Sequence, residues 1–386
     1  MSNRIVTDDN FVEQMQTANY WLAQIAAGSR KYVDNFKIVQ ADVQRGNGAF
    51  LYPVGTQLTL KHAFYGDIVF DVVAHDTVKK SGSPNAHTMT LLAHDCISTQ
   101  NFQFDSPEAM YYAETELAAG TYNFTVGATY SKWEAGTYQF TLTQAVPAGG
   151  QICIGGNADT VLTDLYIRTY ASQQTTTVLE TTASKIASGS AGTSLGAWAK
   201  DLNSPQRMSW GSNNYKESAL RQLLNSDAAA GSIWTPQTKF DRPPSWVSDS
   251  NYEGYLKGCP ADFLDAIAPA VVKCSANNTY ECPASMGGTV TKNTAYELTD
   301  KIFLASEWEV GLDGGDVADG STLYEFFEGA ENADRIKTLN GSAIYWWLRT
   351  AYTARASGSR NVNSNGGLNY NHAKNTYGLV PACIIA

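Results

Sequence analysis

Charge is scarce in this chain. Only 17% of its 386 residues are charged, and acids outnumber bases 37 to 27, a net charge of −10. That balance argues against nucleic acid as a partner, because phosphate binding needs a basic field. Cysteine is also sparse: six residues at this length cannot form a disulfide scaffold. No C-x-x-C or Cys/His zinc spacing occurs, so buried or free thiols and no bound metal are expected. No apolar run is long enough to span a bilayer, and membrane insertion is not expected. The stretch from Met1 to Asp9 lacks an apolar signal core, so synthesis in the cytoplasm without a signal peptide is expected. G-x-S-x-G, H-E-x-x-H and P-loop motifs are absent, and no cofactor is expected. The nearest approaches to a catalytic grouping are His75-Asp76 and His94-Asp95-Cys96. Each follows an apolar strand-like run and reads as a strand-end turn. The acids of Asp313-Gly-Gly-Asp316-Val-Ala-Asp319 depart from the EF-hand pattern and also read as turn chemistry. The expectation is a binding protein and not an enzyme.

What is present is Tyr (21), Gly (32) and small polar residues, a mixture suited to a loop-rich, β-containing protein with amphipathic aromatic surfaces. Residues 1–46 read as helical. One stripe runs through Phe11, Met15, Ala18, Leu22 and Ile25, and a second through Val33, Phe36, Val39 and Val43. Residues 47–155 read as an antiparallel β domain. Its strands include Ile68–Ala74 and Thr88–Ala93, and an internal echo, Ala119-Gly-Thr-Tyr-Asn-Phe-Thr-Val126 and Ala135-Gly-Thr-Tyr-Gln-Phe-Thr-Leu142. Residues 156–200 read as a linker or transition, rich in Ser, Thr, Ala and Gly. Residues 201–386 mix helices and strands. Asn214 and Glu217 form a capping-box pattern that opens a helix with Tyr215, Ala219, Leu220, Leu223 and Leu224 on one side, Asp262–Ile267 reads as a short second helix, and strands are expected at Asp300–Leu304, Ile344–Arg349 and Val380–Ile385.

The order of features in this last region carries a resemblance. Ser209-Trp210, the helix through Leu220-Arg221, the strand Asp300–Ser306, and then Trp346-Trp-Leu-Arg349 are followed by a polar stretch and by Tyr377-Gly378…Pro381-Ala382. This resembles the DUF6273-type C-type-lectin-like domain, many members of which are variable proteins of diversity-generating retroelements akin to phage tropism determinants. Thr350-Ala351 and Leu379-Val380 depart from the residues common in that group. The resemblance implies an α+β fold in which a C-type-lectin-like (formylglycine-generating-enzyme-like) domain follows an antiparallel β domain and N-terminal helices. It also implies a virion location on the phage tail, other tail proteins as neighbours, and a homo-oligomer, with a trimer favoured. The partner would be a bacterial surface protein or glycan. A bacterial surface-displayed adhesin and an invariant phage structural protein are the alternatives.

The stretch 350–377 contains no Asp, Glu or Pro and has Asn at 361, 363, 365, 369, 371 and 375. Such a segment cannot build a core, whereas the apolar runs on either side can. Asn, Ser, Tyr and Gly are also the residues of an adaptable binding surface. They are, in addition, what adenine mutagenesis of Asn codons yields. The expected variable, ligand-binding face comprises Tyr352, Thr353, Ala354, Arg355, Ser357, Ser359, Arg360, Asn361, Asn363, Asn365, Asn369, Tyr370, Asn371, His372, Ala373 and Asn375. Lys374 lies outside that codon set and is not expected to vary. Trp346, Trp347 and Arg349 are expected to form the buried support, with Glu307 or Glu309 as partner to the arginine.

Overall fold

The computed structural model describes residues 35–129, 133–155, 164–198, 200–276 and 294–386. Strand accounts for 38% and helix for 14%, and the sheets curl towards a barrel. The expected α+β class with N-terminal helices is therefore corrected to a β-rich architecture. The physical reason is helix length. The helix expected from Asn214 starts only at Ala219, with Ser218 as its cap, and ends at Leu224, while the one expected at Asp262–Ile267 spans Ala261–Ala266, six residues each. Helices this short are held by packing, with no stability of their own. The first apolar stripe, 8–28, lies outside the described residues. The second forms helix α1 (Phe36–Gln44), which buries Phe36, Val39 and Val43. Asn35 caps it, its side-chain oxygen accepting from the Lys37 amide at 2.9 Å.

The first strands are β1 (Gln57–His62), β2 (Gly66–His75), β3 (Met89–Ala93) and β4 (Ile97–Gln103). Next come β5 (Tyr111–Tyr112), β6 (Gly120–Val126), β7 (Gly136–Leu142), β8 (Gln151–Gly155), β9 (Asp164–Tyr170), β10 (Leu179–Ile186) and β11 (Thr193–Ala197). The C-terminal half adds β12 (Ile267–Ala268), β13 (Ala270–Ala276), β14 (Thr294–Asp300), β15 (Ile302–Leu304), β16 (Lys337–Leu339) and β17 (Ser342–Ile344). It ends with β18 (Trp346–Ala351), β19 (Gly358–Val362), β20 (Leu368–His372), β21 (Thr376–Leu379) and β22 (Pro381–Ile385).

Strand pairing redraws the expected division at 155/201. A six-stranded sheet runs β1-β2-β3-β22-β12, with β15 also on β22, and a five-stranded sheet runs β20-β19-β18-β21-β4. The strands of residues 57–103 thus share sheets and one hydrophobic core with the C-terminal half. Between them, β5–β11 form a seven-stranded sheet with its own core, including Phe124, Tyr138, Phe140 and Trp133. The echo explains part of this sheet, because its two copies pair with each other. Tyr122 faces Phe140 and Phe124 faces Tyr138, and the latter rings stack at 5.6 Å. The segment expected as a linker or transition, 156–200, supplies β9, β10 and β11 of the same sheet.

Buried acids lie where the two cores meet. Arg207, fully buried, is 3.5 Å from Glu108 and 3.5 Å from Glu217, and Asn203 donates to Glu108 at 2.6 Å. Burial pushes the Glu108 carboxyl up to about 7, with Arg207 opposing the rise and Asp241 adding to it. Burial, with Asp241 and Glu108 nearby, likewise raises Asp105 well above the ordinary range. A carboxyl whose folded pKa is raised keeps its proton while the unfolded chain loses its own. Its contribution is therefore intact below the unfolded value and is lost as pH climbs through the folded one. The melting temperature is expected to fall between pH 5 and pH 8, Glu108 contributing on the order of 3 kcal/mol. Thermal melts of Glu108→Gln across that range should show a shallower slope. An unchanged slope would remove Glu108 from this role.

Candidate functional site

The framework of the site is β18, every residue of which is buried. The Trp346 indole donates to the Arg335 carbonyl at 3.0 Å and that of Trp347 to the Phe102 carbonyl at 2.8 Å. These polar tips are thereby satisfied inside the core. Arg349 forms a two-pronged pair with Glu309, both N···O distances being 2.6 Å. It also donates to the carbonyls of Lys273 and Leu304 and to the Ser321 hydroxyl. Of the two acids considered from sequence, Glu309 is thus the partner of Arg349, and Glu307 faces Arg360 at 3.3 Å. Burial pushes Glu307 up to about 8, Asp316 adding to the rise and Arg360 opposing it.

Above this frame the polar segment is displayed unevenly. Thr353, Ala354, Arg355 and Asn365 are exposed, while Tyr352, Asn363, Asn369, Tyr370, Asn371, His372 and Asn375 are half-buried. Ser357, Ser359, Arg360, Asn361 and Ala373 are buried, which corrects the expectation that they belong to an open face. Their small size and hydrogen bonding are the reason: Ser359 donates to the Leu348 carbonyl at 3.2 Å, and Arg360 is held by Asp316 and Glu307.

Strand register splits the remainder. Arg360 opposes Tyr370 and Gly358 opposes His372, whereas Ser359 opposes Asn371 and Asn361 opposes Asn369. Directly opposed residues share a face, so Tyr370 and His372 point one way from β20 and Asn369 and Asn371 the other. The single expected face is therefore two. β20 is the edge strand of its sheet.

One of the two faces carries a row of rings. Tyr352 stacks on Tyr370 at 3.9 Å and 15°, and Trp210 stacks on His372 at 4.3 Å and 13°. Cations flank the row: Lys374 Nζ lies 4.2 Å from the centre of Trp210, Arg360 Cζ 4.8 Å from that of Tyr352, and Arg355 Cζ 5.7 Å from that of Tyr370. Burial, then Arg355 and Lys374, lower the His372 imidazole to about 4. The 352–358 loop is pinned from beneath by Asn213, whose amide nitrogen donates to the carbonyls of Arg355 and Gly358, each at 2.9 Å. Trp210 and Lys374 were not expected here. Trp210 was visible only as part of the resemblance, and Lys374 was set aside on codon grounds. Another fixed point is Gly366, with φ +83° and the place of a Cβ taken by the Asn332 carbonyl.

The groupings that invited a catalytic reading lie elsewhere. His94 Nδ1 approaches Asp71 at 2.8 Å. Burial pushes the Cys96 thiol up to about 12, and its sulfur packs against Gly378. A thiol so raised is a poor nucleophile. The other free cysteines described, Cys153, Cys259, Cys274 and Cys383, are also raised by burial.

Fold and site together define a β-rich protein with a rigid aromatic frame beneath a polar, ring-studded surface. The chain belongs to the family described as domain of unknown function DUF6273, whose model matches residues 176–386, more than half of its length. No curated protein and no solved structure matches it. The matched segment begins between β9 and β10, yet β21 pairs with β4 and β22 with β3. The region homologous to the family therefore completes its sheets with strands that precede the match.

Proposed function

We propose that this protein is a receptor-binding protein of a phage tail, diversified by a retroelement, that recognises a bacterial surface ligand without catalysing a reaction. The observation that carries this reading is the sharp change in burial along one short segment. Trp346, Trp347 and Arg349 are sealed in the core, while Thr353–Arg355 stand in solvent a few residues on. A frame satisfied entirely from within tolerates change at its rim, and exposed substitutions ordinarily shift stability by less than about 0.5 kcal/mol. The buried positions Ser357, Ser359, Asn361 and Ala373 fall outside the variable set on this reading, as does Gly366. Several weak sites on an oligomer would act together through multivalency.

Deep sequencing of the 3′ end of the gene in a population is expected to show substitutions concentrated in the codons for 352–355, 363, 365, 369–372 and 375. A reverse-transcriptase gene with a near-identical repeat is expected nearby. Changing Tyr352, Thr353, Arg355 and Tyr370 together to Ala should reduce adsorption to host cells by about tenfold or more, while the protein stays folded with a modest fall in Tm from loss of the Tyr352–Tyr370 stack. Mutations scattered evenly over the gene would remove the diversification, and full adsorption by the quadruple variant would remove the binding role.

A further inference from the structure

Residues 352–358, which carry β18 into β19, are gripped by their main chain. The Asn213 side-chain amide donates to the carbonyls of Arg355 and Gly358, each at 2.9 Å, and more weakly to that of Tyr352 at 3.4 Å. Its backbone amide donates to the Ala356 carbonyl at 2.9 Å, and the Ala373 amide donates to that of Ser357 at 2.9 Å. On the other side, the Thr353 amide donates to the Asp316 carboxylate at 2.7 Å. Five loop carbonyls and one loop amide are thus engaged from outside, and no loop side chain takes part in these contacts. Asn213 is fully buried, and the reverse setting of its amide would aim an oxygen at the same carbonyls. The helix Pro205–Trp210 ends at Gly211, whose φ of +82° turns the chain beneath the loop; a Cβ there would lie 3.1 Å from the carbonyls of Asp105 and Ser106. None of residues 352–357 has a positive φ, so no position in the loop demands glycine. Thr353, Ala354 and Arg355 stand exposed above these anchors.

We propose, resting on the receptor-binding reading above, that Asn213 is a positioning residue which, with Asp316, fixes the backbone path of the 352–358 loop whatever side chains the loop carries. A carbonyl is the same group at every position, so an anchor that reads carbonyls is blind to sequence. Diversified copies then offer different side chains at 353–355 from one preset backbone. A loop ordered before contact gives up less conformational freedom on binding, which adds affinity without adding contacts. The competing source of order is the loop's own side chains, above all the stack of Tyr352 on Tyr370. The two arrangements differ in what a loop substitution does. Order set from beneath survives it, and order set by loop side chains does not.

Hydrogen exchange on the full chain tests this without any ligand. The amides of Thr353, Arg355 and Gly358 are all hydrogen-bonded. In Asn213→Ala their exchange, relative to intrinsic rates, is expected to rise by about tenfold or more, while the amides of Trp346–Leu348 keep the parental rate. Asn213→Asp, which sets an acceptor against the carbonyls, should loosen the loop at least as much. Substituting Tyr352→Ser, Thr353→Ser, Ala354→Asn and Arg355→Ser together should change the same exchange by less than about threefold. This quadruple variant carries the test even where the Asn213 variants do not fold. Parental exchange in Asn213→Ala, or a tenfold loosening by the quadruple variant, would overturn the proposal. Adsorption to host cells separates this failure from failure of the parent reading. Adsorption lost on the loop substitutions but kept in a loosened Asn213→Ala protein removes the positioning role alone. Full adsorption by both variants removes the receptor-binding role, whatever the exchange shows.

Discussion

Replacing Glu309 with Gln is expected to destabilise the protein by about 3–5 kcal/mol, the range for breaking a buried ion pair from one side. Gln keeps the shape and removes the charge, so the loss reports the uncompensated guanidinium. Arg349 is 1% exposed and sits among the carbonyls of Lys273 and Leu304, acceptors that cannot neutralise it. Glu309 has a second duty, accepting from the Ser306 amide at 2.9 Å, which a Gln oxygen can keep. Arg349→Met leaves the acid stranded and should cost a similar amount. Replacing both residues with apolar ones should cost distinctly less than the two single losses combined, because no charge then remains buried. Urea or thermal unfolding of the two single variants and the double variant measures this coupling. An E309Q protein within about 1 kcal/mol of the parent would show that the pair does not anchor the frame.

Trp347→Ala is the second large effect, expected at about 3–5 kcal/mol. The ring is fully buried, packs edge-on against Phe104 at 5.5 Å and lies 4.8 Å from Tyr377. Truncation leaves a cavity between β4, β18 and β21 and frees the Phe102 carbonyl from its donor. Phe at this position refills most of the volume but not the hydrogen bond, so Trp347→Phe should lose noticeably less. Calorimetry on both variants is the measurement. A loss below about 1 kcal/mol for the alanine variant would mean that the site collapses around the gap.

Much of the strand content was legible, as a dense β-branched run at Ile68–Ala74 and as period-two alternation in the two Gly-Thr-Tyr copies. The supporting residues Trp346, Trp347 and Arg349 were legible because large apolar and bidentate side chains have few places to go but inward. Three matters were not legible. The partition into sheets depends on long-range pairing, β3 with β22 and β4 with β21, which no local pattern encodes. The inward turn of Ser357, Ser359, Asn361 and Ala373 was hidden because small residues serve equally in a close-packed strand and on an open surface. Trp210 joins the ring row from about 160 positions away in the chain, through a stacking contact that only the folded path creates.

The position of β22 has a consequence for how such a segment can change. It lies beyond the polar stretch in the chain, yet it occupies the middle of the six-stranded sheet, with β3 on one side and β12 and β15 on the other. An insertion or deletion upstream that shifts the reading frame replaces this strand with unrelated residues, and the N-terminal strands lose their neighbour. Only copies that keep the frame can close the sheet. Folding thus becomes a proofreading step: on the receptor-binding proposal, a particle that displayed a folded copy would display one whose altered codons had been read through intact.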